Sequence, residues 1–167
     1  YEVLEKVGES ELFTVYRAKD KSANRMVAIK LINPDLAQEE GFAREMMQGI
    51  KNAATLSHSN LATTYELKPY ENTGYTVTEY VRGINLKERI RRIAPFGLSA
   101  AVDFAISITE ALNYVHSTGV AHGDLRPQNI IISPEGVVKL TDLGTQPAIA
   151  LSSQAQAAIL RYSAPYH

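Results

Sequence analysis

The run His122-Gly123-Asp124-Leu125-Arg126-Pro127-Gln128-Asn129, followed by Asp142-Leu143-Gly144, puts an acid, an amide and a second acid on loops around two short apolar stretches. Hard cations such as Mg²⁺ take oxygen donors, normally one or two carboxylates plus the phosphates of a substrate. Asn129 and Asp142 are a donor pair of that kind. Asp124 lies five residues before Asn129, close enough to serve as a base beside such a metal. Ile130-Ile131-Ile132 is β-branched and bounded by Pro134 and Gly136, which predicts a buried strand. Val137-Val138-Lys139-Leu140 follows a tight turn and completes a hairpin. An Asp-Leu-Gly turn alone is ordinary loop structure; the weight rests on the whole eight-residue run at this spacing.

These loops need a frame. Residues 1–33 hold three strand patterns, Tyr1–Val7, Leu12–Arg17 and Met26–Ile32, and the spacing predicts a helix over 36–56 and strands over 62–68 and 74–80. An amphipathic helix is expected over 84–93, where Lys87, Arg89, Arg91 and Arg92 read as a solvated face. A longer helix is expected over 99–116, with Ser99 as N-cap and Gly119 as stop. Val102, Phe104, Ala105, Ile106, Ile108, Ala111, Leu112, Tyr114 and Val115 cover almost its whole circumference. A helix that is apolar all round requires cover on every side. The hairpin and a polar loop are too little, so the chain is expected to be part of a longer protein or a naturally shortened domain.

At 167 residues with 45% hydrophobic content, the chain is long enough for a domain with a real core. A formal net charge of −1 gives no sign of nucleic acid, and the absence of cysteine excludes disulfides, thiol chemistry and cysteine metal sites. There is no apolar run of membrane-spanning length, no visible signal peptide, no internal repeat and no low-complexity linker, although the first residue is Tyr rather than Met. The expected location is the cytoplasm, or the cytosolic part of a larger protein.

The catalytic-type run resembles the H-R-D-L-K-P-x-N loop of the protein kinase superfamily, and Asp142-Leu143-Gly144 resembles its D-F-G loop, with Gly123, Arg126 and Leu143 as departures. Val27-Ala28-Ile29-Lys30 matches V-A-I-K, about ninety residues before the loop. Tyr75 to Gly83 looks like the strand and hinge between two lobes, and His58-Ser59-Asn60-Leu61 resembles H-P-N-I. Arg161-Tyr162-Ser163-Ala164-Pro165 resembles the end of the activation segment. The resemblance implies an α+β, two-lobed fold: a β-rich small lobe with hinge over 1–82 (five strands and one helix), then a partial helical large lobe over 83–167, with the remaining large-lobe segment in the parent protein.

It also implies ATP and Mg²⁺ as cofactors and a protein substrate or partner. Lys30 would pair with the α- and β-phosphates, Asn129 and Asp142 would hold magnesium, Asp124 would accept the hydroxyl proton, and Arg126 would steady the γ-phosphate. Val7, Val15, Ala28 and Ile131 would sandwich the adenine, Glu79 and Val81 would offer it backbone groups, and Asn85 would reach the ribose. In the phosphate-covering loop only Gly8 remains of three glycines, while Glu9 and Glu11 add negative charge, so a weaker grip on phosphate is expected. The family's glutamate partner for Lys30 falls at Gly49; Glu45 lies on the same helix face but one turn away, roughly 6 Å. Either the helix slides to bring Glu45 to Lys30 or the pair is absent. Ile159 stands where Ser/Thr members carry a threonine, and Tyr166 where they carry a glutamate. Two functions remain open: a divergent Ser/Thr-type kinase, or a nucleotide-binding or non-catalytic pseudokinase that acts through partners. A small-molecule kinase is a third option, which the hinge and the Arg-Tyr-Ser-Ala-Pro run disfavour.

Overall fold

The computed structural model describes residues 1–93 and 95–162. Ser163, Ala164, Pro165 and Tyr166, on which part of the activation-segment resemblance rests, lie outside the described residues. The fold is α+β. The first half is a five-stranded antiparallel sheet of β1 (Glu2–Glu9), β2 (Phe13–Asp20), β3 (Arg25–Ile32), β4 (Thr64–Tyr70) and β5 (Thr73–Glu79), in the order β1-β2-β3-β5-β4. All five expected strands form. Central β3 pairs Lys30 with Val15 on one side and Thr76 on the other, so the lysine is fixed at mid-sheet rather than at an edge.

The single helix expected over 36–56 is two: α1 (Pro34–Ala37) and α2 (Phe42–Ala53). Pro34 and the Asn33 side chain, which accepts from the Asp35 amide at 3.0 Å, start the first. Gly41, in the left-handed region at φ +80°, separates them and opens the second. Phe42, Met46 and Ile50 of α2 pack with Leu12, Phe13, Ile32 and Leu36 to form the small-lobe core.

The helix expected over 84–93 begins as a short strand, β6 (Ile84–Asn85), which pairs with β7 (Ile130–Ile132); β7 in turn pairs with β8 (Val138–Leu140). Only Leu86–Ile93 is helical (α3). The long helix α4 (Leu98–Ser117) starts one residue earlier than expected, at a Gly97 cap with no side-chain hydrogen bond, so Ser99 is not the N-cap. It stops as expected, with Gly119 at φ +78° and its N–H donating to His116 O. Phe104, Ala111 and Val115 face the hairpin core with Leu61, Ile130, Ile132, Val138 and Leu140. Leu98, Val102 and Ile106, one helical turn apart, remain 81%, 46% and 51% exposed, so one apolar line of the helix is open to solvent.

Beyond the hairpin, the segment expected as a polar loop is two helices, α5 (Gln146–Leu151) and α6 (Ser153–Tyr162). Pro147 in the first turn suits a helix start, and Ala148 and Ala155 are small enough to bury in the small-lobe core beside α2. The His58–Leu61 turn joins the halves: Asn60 Nδ2 donates to Val138 O at 2.8 Å and Leu140 N donates to Asn60 O at 2.8 Å. No helix among the described residues is long and apolar enough to cross a membrane.

Candidate functional site

Between the five-stranded sheet and the β6-β7-β8 sheet lies a cleft of about 480 Å³. Its walls include Val7, Gly8, Val15, Ala28, Lys30, Glu79, Val81, Asn85, Arg126, Asn129, Ile131 and Asp142, so twelve of the positions read from the sequence converge on one cavity. The apolar members sit where β1, β2, β3 and β7 face each other. Ala28 leaves space because β3 brings its small side chain under the roof made by Val7 and Val15.

The polar end is held by a hydrogen-bond network. Asn129 is buried and its Nδ2 donates to Asp124 O at 2.9 Å and Asp124 Oδ2 at 2.8 Å, which leaves the amide oxygen as the end not engaged by Asp124. Asn129 N is tied to Arg126 O and Thr141 N to Asn129 O, so the turn Pro127–Asn129 and the start of the Asp142 loop are one rigid unit. Asp142 adopts φ +64°, a left-handed conformation that Asp tolerates better than most side chains. There it meets Lys30 Nζ at 2.6 Å across the cleft, with side-chain exposures of 17% and 11%.

The two acids are tuned in opposite directions. Burial works against the charge on Asp142, but the Lys30 ammonium, by charge and hydrogen bond, and the Thr141 hydroxyl outweigh it and hold the carboxyl below its ordinary value. Burial pushes the Asp124 carboxyl up; Arg126 and the Asn129 amide only partly oppose this, and the charges of Asp142 and Glu11 add to it. Buried His122 is pushed down by the same loss of water, against the charge of Asp142.

Glu45 is the exception among the sequence assignments. Its ion pair is with neighbouring Arg44 at 3.6 Å, Lys30 is taken by Asp142, and Glu45 does not line the cleft. The helix does not slide. At Gly49 a Cβ would lie 2.0 Å from Gly144 O, and at Gly144, φ +82°, a Cβ would lie 2.3 Å from Gly49 O. Backbone therefore meets backbone where the family's glutamate would stand, and α5 packs into the space beyond. Gly123 is explained similarly: φ is +78° and a Cβ would strike Gln146 Cβ at 2.3 Å, so α5 also closes the place of the family's arginine. Asn85 lines the cleft; its Oδ1 accepts from Glu88 N at 2.8 Å and starts α3, which leaves its amide nitrogen as the end not engaged by α3. The Glu79 side chain turns away to Lys139 at 2.9 Å, and its N–H donates to Thr63 O at 2.8 Å.

Sequence reasoning missed one contact within the cleft. Glu11, read only as unwelcome charge in the loop, forms an ion pair with Arg126, which also holds Asp124 at 3.1 Å. No pattern around either residue signals the pair, which joins positions far apart in the chain.

The sequence matches the family described as protein kinase domain over residues 1–166. The serine/threonine-protein kinase PrkC of Bacillus subtilis is 35% identical over 153 residues, 92% of this chain and 23% of that protein. A probable serine/threonine-protein kinase of Clostridium perfringens is 32% identical over 166 residues, 99% of this chain and 24% of that protein. The chain thus spans about a quarter of the length of these curated relatives. Among solved structures, the PknI kinase domain of Mycobacterium tuberculosis shares the fold with a TM-score of 0.76 at 23% identity, covering 86% of this chain and 57% of that one. Rad53 residues 1–466, in complex with AMP-PNP, has a TM-score of 0.72 at 27% identity, covering 86% of this chain and 38% of that one.

Proposed function

The chain belongs to the protein kinase domain family, and from that premise we propose that it supplies the nucleotide-holding core for ATP-dependent phosphoryl transfer to protein serine or threonine hydroxyls. The carrying observation is the convergence of Lys30, Asn129 and Asp142 on one cleft, with Asp124 hydrogen-bonded behind them. The residues fit the cofactors. Apolar walls at Val7, Val15, Ala28 and Ile131 suit a purine, and the Glu79 carbonyl with the Val81 backbone suits its polar edge. The Asn129 amide oxygen and the ionised Asp142 carboxylate are hard donors suited to Mg²⁺. The bound metal would neutralise charge on the phosphates.

The chain's own groups do the rest. Lys30, now paired with Asp142, would neutralise and orient phosphate, and Asp124 would take the proton of the attacking hydroxyl. Its raised pKa brings it nearer to the range of an effective general base than an exposed aspartate would be. We read residues 1–82 as small lobe and hinge and 83–167 as part of the large lobe, a division that the separate five-stranded and three-stranded sheets support.

The pseudokinase reading has its own supporting observations: Lys30 lacks a glutamate partner on α2, and Arg126 is already engaged by Glu11. The two diverge on one residue. In the parent protein, Asp124→Asn should reduce phosphotransfer by about a hundred- to ten-thousandfold with little change in nucleotide affinity. A parent protein that transfers no phosphate to itself or to any protein, and whose role survives Asp124→Asn, is a pseudokinase.

A further inference from the structure

Both cations of the cleft's polar end are already spoken for. Lys30 is paired with Asp142, and Arg126 is bracketed by Asp124 and Glu11, so three carboxylates face two cations before any phosphate arrives. Glu11 does not swing freely as a residue in a glycine-rich loop would. Leu12 and Phe13 next to it are 2% and 3% exposed in the small-lobe core, and Ser10 closes the turn by donating its N–H to Phe13 O at 2.8 Å. Asn33 N donates to Leu12 O at 2.9 Å, which ties the same turn to β3. The Glu11 and Arg126 side chains are 6% and 10% exposed.

The contact is close yet poorly satisfied. Arg126 Nη2 meets Glu11 Oε1, while Arg126 Nη1 is buried without a hydrogen-bond partner among the described residues. A buried pair with unmet donors is held mainly by charge, and a group with more acceptor oxygens in the right places can exchange for one member.

We infer that Glu11 is a specificity-determining residue of this cleft: by occupying Arg126 it takes the place of a terminal phosphate, so that the cleft discriminates against the nucleoside triphosphate relative to nucleosides that carry fewer phosphates or none. The inference rests on the nucleotide reading above. Adenosine avoids the competition altogether, whereas a γ-phosphate must expel the carboxylate and then share the cleft with it. The weak phosphate grip expected from the missing glycines therefore has a second source, a negative group fixed in the phosphate's path.

The test is calorimetric titration of adenosine, ADP and a non-hydrolysable ATP analogue, each with Mg²⁺, into the wild type, Glu11→Gln and Glu11→Asp. Glu11→Gln keeps the shape and removes the charge; it should tighten the triphosphate by roughly ten- to a hundredfold, the scale of a hydrogen bond to a charged group. Adenosine should stay within about twofold, since it makes no demand on a charged pair. Glu11→Asp, too short to keep the contact, should give a smaller gain of the same sign. Equal tightening of all three ligands, or an unchanged or weakened triphosphate, overturns the inference. If both variants lose adenosine while the wild type binds it, Glu11 is a structural clamp and the inference also fails. A wild type that binds none of the three ligands refutes the nucleotide reading itself, and this inference with it.

Discussion

The contact between Gly49 and Gly144 decides how α2 meets the Asp142 loop, and it yields a prediction with a sign opposite to local propensity. In an isolated helix, Gly→Ala at position 49 gains about 1 kcal/mol. Here the new Cβ would sit 2.0 Å from Gly144 O, at least 1.0 Å inside the 3.0 Å that real Cβ atoms respect, and the obstacle is backbone. Forcing the two segments apart costs about 1–3 kcal/mol by the usual scale of overpacking, which cancels or exceeds the propensity gain. Gly144→Ala is worse, because its Cβ would lie 2.3 Å from Gly49 O and its φ of +82° adds about 1–2 kcal/mol for the left-handed conformation. The expected losses are about 0–2 kcal/mol for Gly49→Ala and about 2–5 kcal/mol for Gly144→Ala. Either substitution opens the same contact, so the double variant should lose less than the sum by at least about 0.5 kcal/mol. Urea unfolding with a common m-value measures all three. A Gly49→Ala protein stabilised by the full helix increment, or a Gly144→Ala protein indistinguishable from wild type, would refute the close backbone approach.

Two further outcomes follow from the same geometry. The lowered pKa of Asp142 makes its ion pair with Lys30 a source of stability that is present above the unfolded carboxyl value of about 3.9 and is lost as pH falls through the lower folded value; urea midpoints of Lys30→Met should fall less steeply across that acid window than those of wild type, and superimposable profiles would contradict the pairing. The exposed apolar line of Leu98, Val102 and Ile106 should make the 167-residue chain bind a hydrophobic dye, and replacing all three with glutamate should abolish that binding with little loss of stability; a dye-silent chain would contradict the uncovered face.

Much of the fold was legible because its signals are local. The five strands carry alternating or β-branched runs bounded by turns, and Gly119 stops α4 by a conformation that few other residues adopt. The site was legible residue by residue through spacing, since the hairpin that separates Asn129 from Asp142 is short and its strands are apolar. What escaped was tertiary. The segment 146–162 reads as a loop because its helices are weakly amphipathic, and their reason for folding is the niche that α2 offers to Ala148 and Ala155. The split at Gly41 was overlooked because the apolar period continues across it. Glu45 matched a local pattern, but a glycine-to-glycine contact between distant segments set the helix position. The Glu11–Arg126 pair joins residues more than a hundred positions apart and has no signature in either neighbourhood alone.

Asn129 and Asp142 are proposed to hold magnesium with a nucleotide, and calorimetric titration of ATP with and without Mg²⁺ decides whether they do. Binding should be tighter with the metal in the wild type, and Asp142→Asn, which removes the negative ligand, should abolish the difference. Equal ATP affinity with and without Mg²⁺ in the wild type, or a metal dependence that survives Asp142→Asn, would contradict the site described.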